Sequence, residues 1–210
     1  MSGLLNITRR WLRIDRFMIT ACTCGGHKQD LYRFLQQVWL PRGMIPLAKC
    51  TRKKDFLVLG IDPGPEHSAY ALLRPGGEVY QTETLSNLEM LDAFALMQYD
   101  RIFIEMIASY GMAVGSSVFD TCVMIGRFWE RSWYARGRDP ILIYRKDVKM
   151  YLCGNTKAKD TNIRQAIMDL HGSTRARAIG TKKYPGPLFG VSGDQWSAIG
   201  VALTGMAHDS

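Results

Sequence analysis

Residues 56 to 84, FLVLGIDPGPEHSAYALLRPGGEVYQTET, constrain the fold more than any other stretch of the 210-residue chain. Two apolar runs, FLVLGI and SAYALLR, are separated by Pro-Gly-Pro, and a Gly-Gly turn divides the second from EVYQTET. Short runs punctuated by such breakers read as strands joined in hairpins, so three antiparallel strands open the domain. The first of them ends on Asp62. A buried strand has no use for a carboxylate unless something positive meets it.

The pattern after this hairpin series changes period. In SNLEMLDAFALM, Ser86 is placed as an N-cap and Glu89 as its capping-box partner, which predicts a helix. RIFIEM is a short buried strand whose last charge is Glu105. Val114, Val118, Cys122, Ile125, Trp129 and Trp133 recur at helical spacing, predicting one long helix with an apolar stripe packed on the sheet. PILIY is a fifth strand, RKDVKMYLC a helix stopped by Gly154, and KDTNIRQAIMDL another helix ending near Gly172. The Gly, Pro and basic stretch STRARAIGTKKYPGPLFGVSG reads as a loop, and DQWSAIGVALTGM as an apolar helix with Asp194 in its first turn. The order β-β-β-α-β-α-β-α-α-α predicts an α/β fold, a mixed five-stranded sheet flanked by helices.

Charge divides the chain unevenly. Residues 1–54 hold eleven Lys and Arg against Asp15 and Asp30, and thereby account for the formal charge of +8, the remainder being close to neutral. Two amphipathic segments, LLNITRRWLRIDRFMI and DLYRFLQQVWL, precede a break at PRG. Cys22, Cys24, His27 and Cys50 match no common structural zinc spacing. The expectation is a poorly ordered basic extension over 1–54, with Met44 as a candidate start, followed by one domain over 55–210. Five cysteines form no disulfide framework, and neither a secretory leader nor a membrane span is seen, so a reduced, cytoplasmic protein is expected. Within the domain, residues 145–184 carry ten Lys and Arg against Asp147, Asp160 and Asp169, the signature of one face turned to a polyanion.

Asp62 and Glu105 end strands and Asp194 opens a helix. If the first and fourth strands lie side by side, the two strand-end acids share one sheet edge, where a helix N-terminus brings the third. Three carboxylates without a basic partner repel each other unless a cation neutralises them. Hard oxygen ligands suit Mg²⁺ or Mn²⁺, and a pair of ions about 3.5 to 4 Å apart serves phosphodiester hydrolysis. Taken singly, each acid has an ordinary reading as a solvated strand end or a helix cap.

These residues also carry a resemblance. LGIDPGPEHSAYALL resembles the first strand motif of the RuvC-type Holliday junction resolvases, a family of the RNase H-like superfamily. IFIEM resembles their second acidic strand, VKMYLCGNTKAKDTNIRQAI their lysine-bearing helix pair, and DQWSAIGVALTG their C-terminal acidic helix. SYGMAVGSSVFDT and TKKYPGPLFGVSGDQWSA look like the phage-encoded branch, which places the chain in host cytoplasm if phage-encoded. The likeness runs in order over 56–207 and leaves residues 1–54 unaccounted for.

The resemblance implies Asp62, Glu105 and Asp194 as metal-binding acids, two Mg²⁺ ions per site, and Lys149 near the scissile phosphate. The family's fourth acid falls at Ser197, a departure that leaves Asp160 or Glu66 to replace it, or leaves the site weakened. The second family lysine falls at Asp160, with Lys157 and Lys159 beside it. The family's stacking aromatic falls at Ala108, with Tyr110 as a substitute. A homodimer is implied, with residues 114–136 as interface, Trp129 and Trp133 serving it or the core, and paired symmetric nicks in a four-way junction that leave 5′-phosphate and 3′-hydroxyl ends. Lys146, Arg175, Arg177, Lys182 and Lys183 are expected to grip DNA phosphates. The alternatives are an RNase H acting on RNA-DNA hybrids, a branched-DNA-binding module without catalysis, and, more remotely, an actin-like ATPase, which needs a longer chain.

Overall fold

Period-two alternation decides the architecture of the central sheet. β1 (Val58–Asp62), β2 (His67–Leu73) and β3 (Val79–Ser86) form the antiparallel series, and β4 (Arg101–Met106) and β5 (Ile141–Tyr144) complete a five-stranded sheet in the order β3-β2-β1-β4-β5. β1 is parallel to β4, and β4 to β5. The computed structural model describes residues 56–209 except Ala95, Tyr110 and Met112; the expectations for 1–54, including its cysteines, and for Tyr110 lie outside the described residues. Those described fall within one compact unit, Asp55–Ser210.

Among the described residues six helices accompany the sheet: α1 (Asn87–Phe94), α2 (Ser116–Arg136), α3 (Arg145–Cys153), α4 (Asp160–Leu170), α5 (Arg175–Ala178) and α6 (Gln195–His208). The order matches the sequence reading, with α5 added inside the stretch expected to be a loop. That single turn forms because Thr174 caps it, its side chain accepting from the Arg177 amide at 3.3 Å. The predicted capping box is also present, with the Ser86 hydroxyl donating to Glu89 at 2.8 Å and the Glu89 amide returning to it at 3.4 Å. α1 stops at Phe94, short of the expected Met97.

α6 is the buried hub. Residues from Trp196 to Gly205 are almost all inaccessible, because the sheet covers one side of the helix and α3 and α4 cover the other. Gly200 shows the second contact, with the Val148, Leu152 and Ile163 side chains 3.1 to 3.7 Å from where its Cβ would be. The sheet side is closer still. A Cβ on Gly60 of β1 would strike the Ala198 carbonyl oxygen and stand 2.7 Å from the Ala202 Cβ, and one on Gly205 would enter the Phe103 ring. Small residues thus let helix and sheet backbones approach closely. Val58, Ala69, Ala71, Leu73 and Phe103 line this interface, so by alternation Asp62 and Glu105 belong to the same face.

The opposite face packs α1 and α2, where the Phe94 and Phe128 rings stack at 6.1 Å and Tyr99 meets Phe94 edge-on at 5.7 Å. Here the expected stripe of α2 is shifted. The buried residues are Thr121, Met124, Ile125, Phe128 and Ser132, whereas Val114 and Trp133 are exposed and only Ile125 of the expected six is fully buried. Two hydroxyls can occupy the inner face because each finds a backbone carbonyl nearby, Thr121 giving to Ser117 at 2.8 Å and Ser132 to Arg138 at 3.3 Å. Among the described residues, no helix is long and apolar enough to cross a membrane.

The closeness of α6 to β1 gives a direct test. Gly60→Ala is expected to lower unfolding free energy by about 1 to 3 kcal/mol, since neither backbone can yield without moving a packed layer. Urea denaturation reads this out, and an unchanged midpoint would show that the helix does not depend on that glycine.

Candidate functional site

Parallel pairing carries the strand-end residues to one rim. Ile61 faces Ile104 across β1 and β4, so Asp62 and Glu105, one residue further along, finish adjacent strands side by side. Met106 of β4 pairs with Tyr144, the last residue of β5, and Arg145 follows it as the first residue of α3. Three neighbouring parallel strands therefore deliver two carboxylates and one guanidinium to their shared carboxyl edge. Such an edge is where open α/β sheets place their ligand crevices.

Helix starts supply the rest. Asp194 is the N-cap residue of α6, yet its side chain makes no capping hydrogen bond, and Ser197 stands one turn further on. Asp160 is the first residue of α4. These groups line a cavity of about 240 Å³ together with Arg164, Gly193 and Trp196. The N-termini of α3, α4 and α6 thus all meet at the cavity, and their macrodipoles favour negative charge there.

Electrostatics inside the cavity are unbalanced. Arg145 gives one bond to Glu105 at 3.3 Å and another to Asp160 at 2.8 Å. Against Arg145 and Arg164, which also lines the cavity, stand Asp62, Glu105, Asp160 and Asp194. Burial pushes the Asp62 carboxyl up to about 8; the Glu105 and Asp194 charges push the same way, while Arg145 and the Ser197 hydroxyl pull it down. Burial also raises Glu105, with Asp160 adding to the rise and Arg145 and Asp62 opposing it. For both acids burial is the largest influence, and it opposes the charged form.

This donor set fits a hard divalent cation. It offers only oxygens, most of them on carboxylates whose charge lacks compensation. Among the described residues, no three acidic, histidine or cysteine side chains already close into a metal cage. Arg145 pairs with Glu105 and Asp160 instead, and Asp62, Glu105 and Asp194 are the residues that could hold an ion.

The remaining expected residues are distributed unevenly. Lys149 does not line the cavity; it sits half-buried on α3, where its charge opposes the burial that raises the Cys153 thiol. Glu66 is exposed in the β1–β2 turn and also stays out of the cavity, which leaves Asp160 as the added acid. Lys146, Lys157, Lys159, Arg175, Arg177, Lys182 and Lys183 are all exposed. Lys146 lies over the Tyr144 ring at 5.7 Å and Lys183 over Tyr184 at 5.2 Å. Arg145 and Arg164 are the charged cavity residues that the sequence reading did not single out. Their only signal there was membership of a basic segment.

No family model and no curated protein sequence matches the chain. Solved structures do. A Thermus thermophilus RuvC structure superposes with a TM-score of 0.54 at 16% identity, covering 73% of this chain and 95% of that one. The T. thermophilus RuvC in complex with a Holliday junction substrate gives a TM-score of 0.54 at 15% identity, with 73% and 94% covered. The chain has a RuvC-like, RNase H-like fold.

The raised Asp62 makes a prediction about metal-free protein. An acid whose folded pKa lies near 8, above its ordinary 3.8, binds its proton more tightly in the native state. Its stabilising effect is complete below the ordinary value and disappears as pH rises through about 8. In EDTA, thermal stability is therefore expected to decline between those limits, and Asp62→Asn to melt on the order of 5 °C above wild type at pH 9. A variant no more stable than wild type there would mean that Asp62 carries no such burden.

Proposed function

We propose that the protein is a divalent-metal-dependent endonuclease that nicks branched DNA, with the four-way junction as its preferred substrate. The observation that carries this reading is the meeting of Asp62, Glu105 and Asp194 at the carboxyl edge of β1 and β4 within a RuvC-like fold. Support for the substrate comes from the neighbour solved with a Holliday junction. The resemblance of the acidic motifs to the RuvC-type family, and of the later segments to its phage-encoded branch, points the same way.

In this reading Asp62, Glu105 and Asp194 hold Mg²⁺, two ions per site, with Mn²⁺ able to replace them. Asp160, at the rim, adds the negative charge missing at Ser197 and holds Arg145 rather than an ion. The ions, when bound, activate water and stabilise the departing oxygen, so that cleavage leaves 5′-phosphate and 3′-hydroxyl ends. The protein's part is positional. Burial of Asp62 and Glu105 keeps their charge available only to a cation, and the α6 N-terminus faces the scissile phosphate with the positive end of its macrodipole. Lys149 contributes positive potential from α3. Lys146, Lys157, Lys159, Arg175, Arg177, Lys182 and Lys183 hold phosphates without reading sequence. Tyr110 takes the base-stacking role.

A homodimer supplies two such sites for paired, symmetric nicks. The outer face of α2 supports it: Phe119, Val123, Trp133 and Tyr134 remain 61%, 64%, 52% and 76% exposed, more apolar surface than one helix normally leaves in water. Residues 1–54 add a basic extension to a nuclease domain over 55–210, and the site of action is the cytoplasm, that of the host if phage-encoded. A branched-DNA-binding module without catalysis is the second reading, and Ser197 is the residue that favours it.

Incubation with a synthetic four-way junction, a linear duplex and an RNA-DNA hybrid, each with Mg²⁺ or EDTA, separates these cases. Symmetric nicking of the junction in Mg²⁺ alone is expected, and Asp62→Asn, Glu105→Gln or Asp194→Asn should each lower it by roughly 10²-fold or more. Junction binding without nicking at any metal concentration would establish the binding module. Preference for the hybrid would move the assignment to an RNase H.

A further inference from the structure

Arg145 and Arg164 both line the cavity, and Arg145 bridges two of its carboxylates through unequal bonds. Arg145 holds exposed Asp160 at 2.8 Å and half-buried Glu105 at 3.3 Å. The Glu105 side chain is 14% accessible and the Asp160 side chain 63%, so the guanidinium spans from the cavity wall to its mouth. Its anchor is rigid, because Arg145 begins α3 directly from the end of β5, where the Tyr144 amide donates to the Asp147 carboxylate at 3.3 Å.

We propose that Arg145 is an exchangeable counter-ion: it neutralises Glu105 while the site lacks metal, gives Glu105 up when a divalent cation binds, and stays tethered by Asp160 at the mouth, where its fork meets a DNA phosphate. This rests on the metal-dependent reading given above. A cation ligated by Glu105 and a guanidinium bonded to the same carboxylate repel each other across a few ångströms in a poorly solvated cleft. The longer bond is the one to break. Asp160 keeps the freed group from leaving, and a planar guanidinium matches phosphate oxygens in two-point contact. An incoming phosphate therefore draws the arginine off Glu105 and eases metal entry, so metal and substrate promote each other's binding.

Arg145 thus serves both metal and substrate in this scheme, and metal affinity reads it directly. Mn²⁺ is titrated calorimetrically into the full-length protein, alone and with a junction carrying uncleavable phosphorothioate linkages. Wild type should bind Mn²⁺ weakly alone and several-fold more tightly with the junction. Arg145→Gln should bind Mn²⁺ about tenfold to a hundredfold more tightly without DNA, and lose most of the enhancement by DNA. Arg145→Lys keeps the charge and should remain within a few-fold of wild type. If Arg145→Gln is unfolded in EDTA, Mn²⁺ should restore its folding, since the ion replaces the missing charge.

An Arg145→Gln affinity equal to or weaker than wild type overturns the exchange. So does an equal shift in both variants, or a protein that Mn²⁺ cannot refold. Wild type that binds Mn²⁺ and nicks junctions while failing these tests removes only the role of Arg145. Wild type that binds no Mn²⁺ removes the metal-dependent reading with it.

Discussion

The close approach of α6 to β1 and β4 governs everything at the rim of the sheet. Gly60 faces Ala198 and Ala202, and Gly205 faces the Phe103 ring, in contacts that leave no room for another methyl group. Interiors packed this tightly transmit displacement, so the helix has one axial position rather than a range. That position decides where its first turn ends up. With Trp196, Ala198 and Ile199 buried, the residues immediately before them reach the carboxyl edge of the parallel strands, and Asp194 arrives beside Asp62. At the far end Arg101 of β4 holds Asp209, just past α6, at 2.6 Å, so both ends of the helix are referenced to the sheet.

A second tie fixes the turn that follows Asp62. Asn87, the buried first residue of α1, gives both of its amide hydrogens to the carbonyls of Gly64 and Pro65 at 3.0 Å, and accepts from the Ser68 hydroxyl at 2.6 Å. Every polar atom of that side chain is used. A loop joined only by its strands would let the end of β1 sway; here a helix start grips it from behind. Asp62 is thus held between a pinned turn and a helix with no axial freedom. Rigid support of this kind is what lets a cluster of like charges persist in a folded protein, and the strain shows as carboxyls that resist ionising rather than as a distorted backbone.

Much of this could be read from residues alone, and the limit is instructive. A charge closing an apolar run is a local signal, and so are a capping box and a Gly stop, which is why Asp62, Glu105, Ser86 with Glu89, and Gly154 stood out. The convergence of the acids followed from one topological assumption, that β1 neighbours β4, which the sheet order satisfies. Arg145 carried no comparable sign. Its meaning depends on β5 pairing with β4 in a register that brings Tyr144 opposite Met106, a non-local fact. The phase of α2 was hidden for a different reason. Thr121 and Ser132 look like surface residues, yet they are cheap to bury once their hydroxyls bond to carbonyls of the same local segment, and an apolar-only pattern passes over them.

The departures at positions 160 and 197 make physical sense together. By resemblance to the RuvC-type motifs, position 197 would carry an acid and position 160 a lysine; this chain has a serine and an aspartate. Exchanging both moves one negative charge from the α6 face to the α4 start and removes a positive one from the mouth of the cavity. Left there, the change would make the cleft more anionic and harder to fold. Arg145 offsets it, bonded to the relocated acid and to Glu105 at once. Read with Arg145, the two departures form one arrangement in which the acid at the α4 start is paired with a guanidinium that follows β5. Ser197 retains part of the lost acid's role in reverse: instead of adding charge beside Asp62, its hydroxyl favours the charge already there.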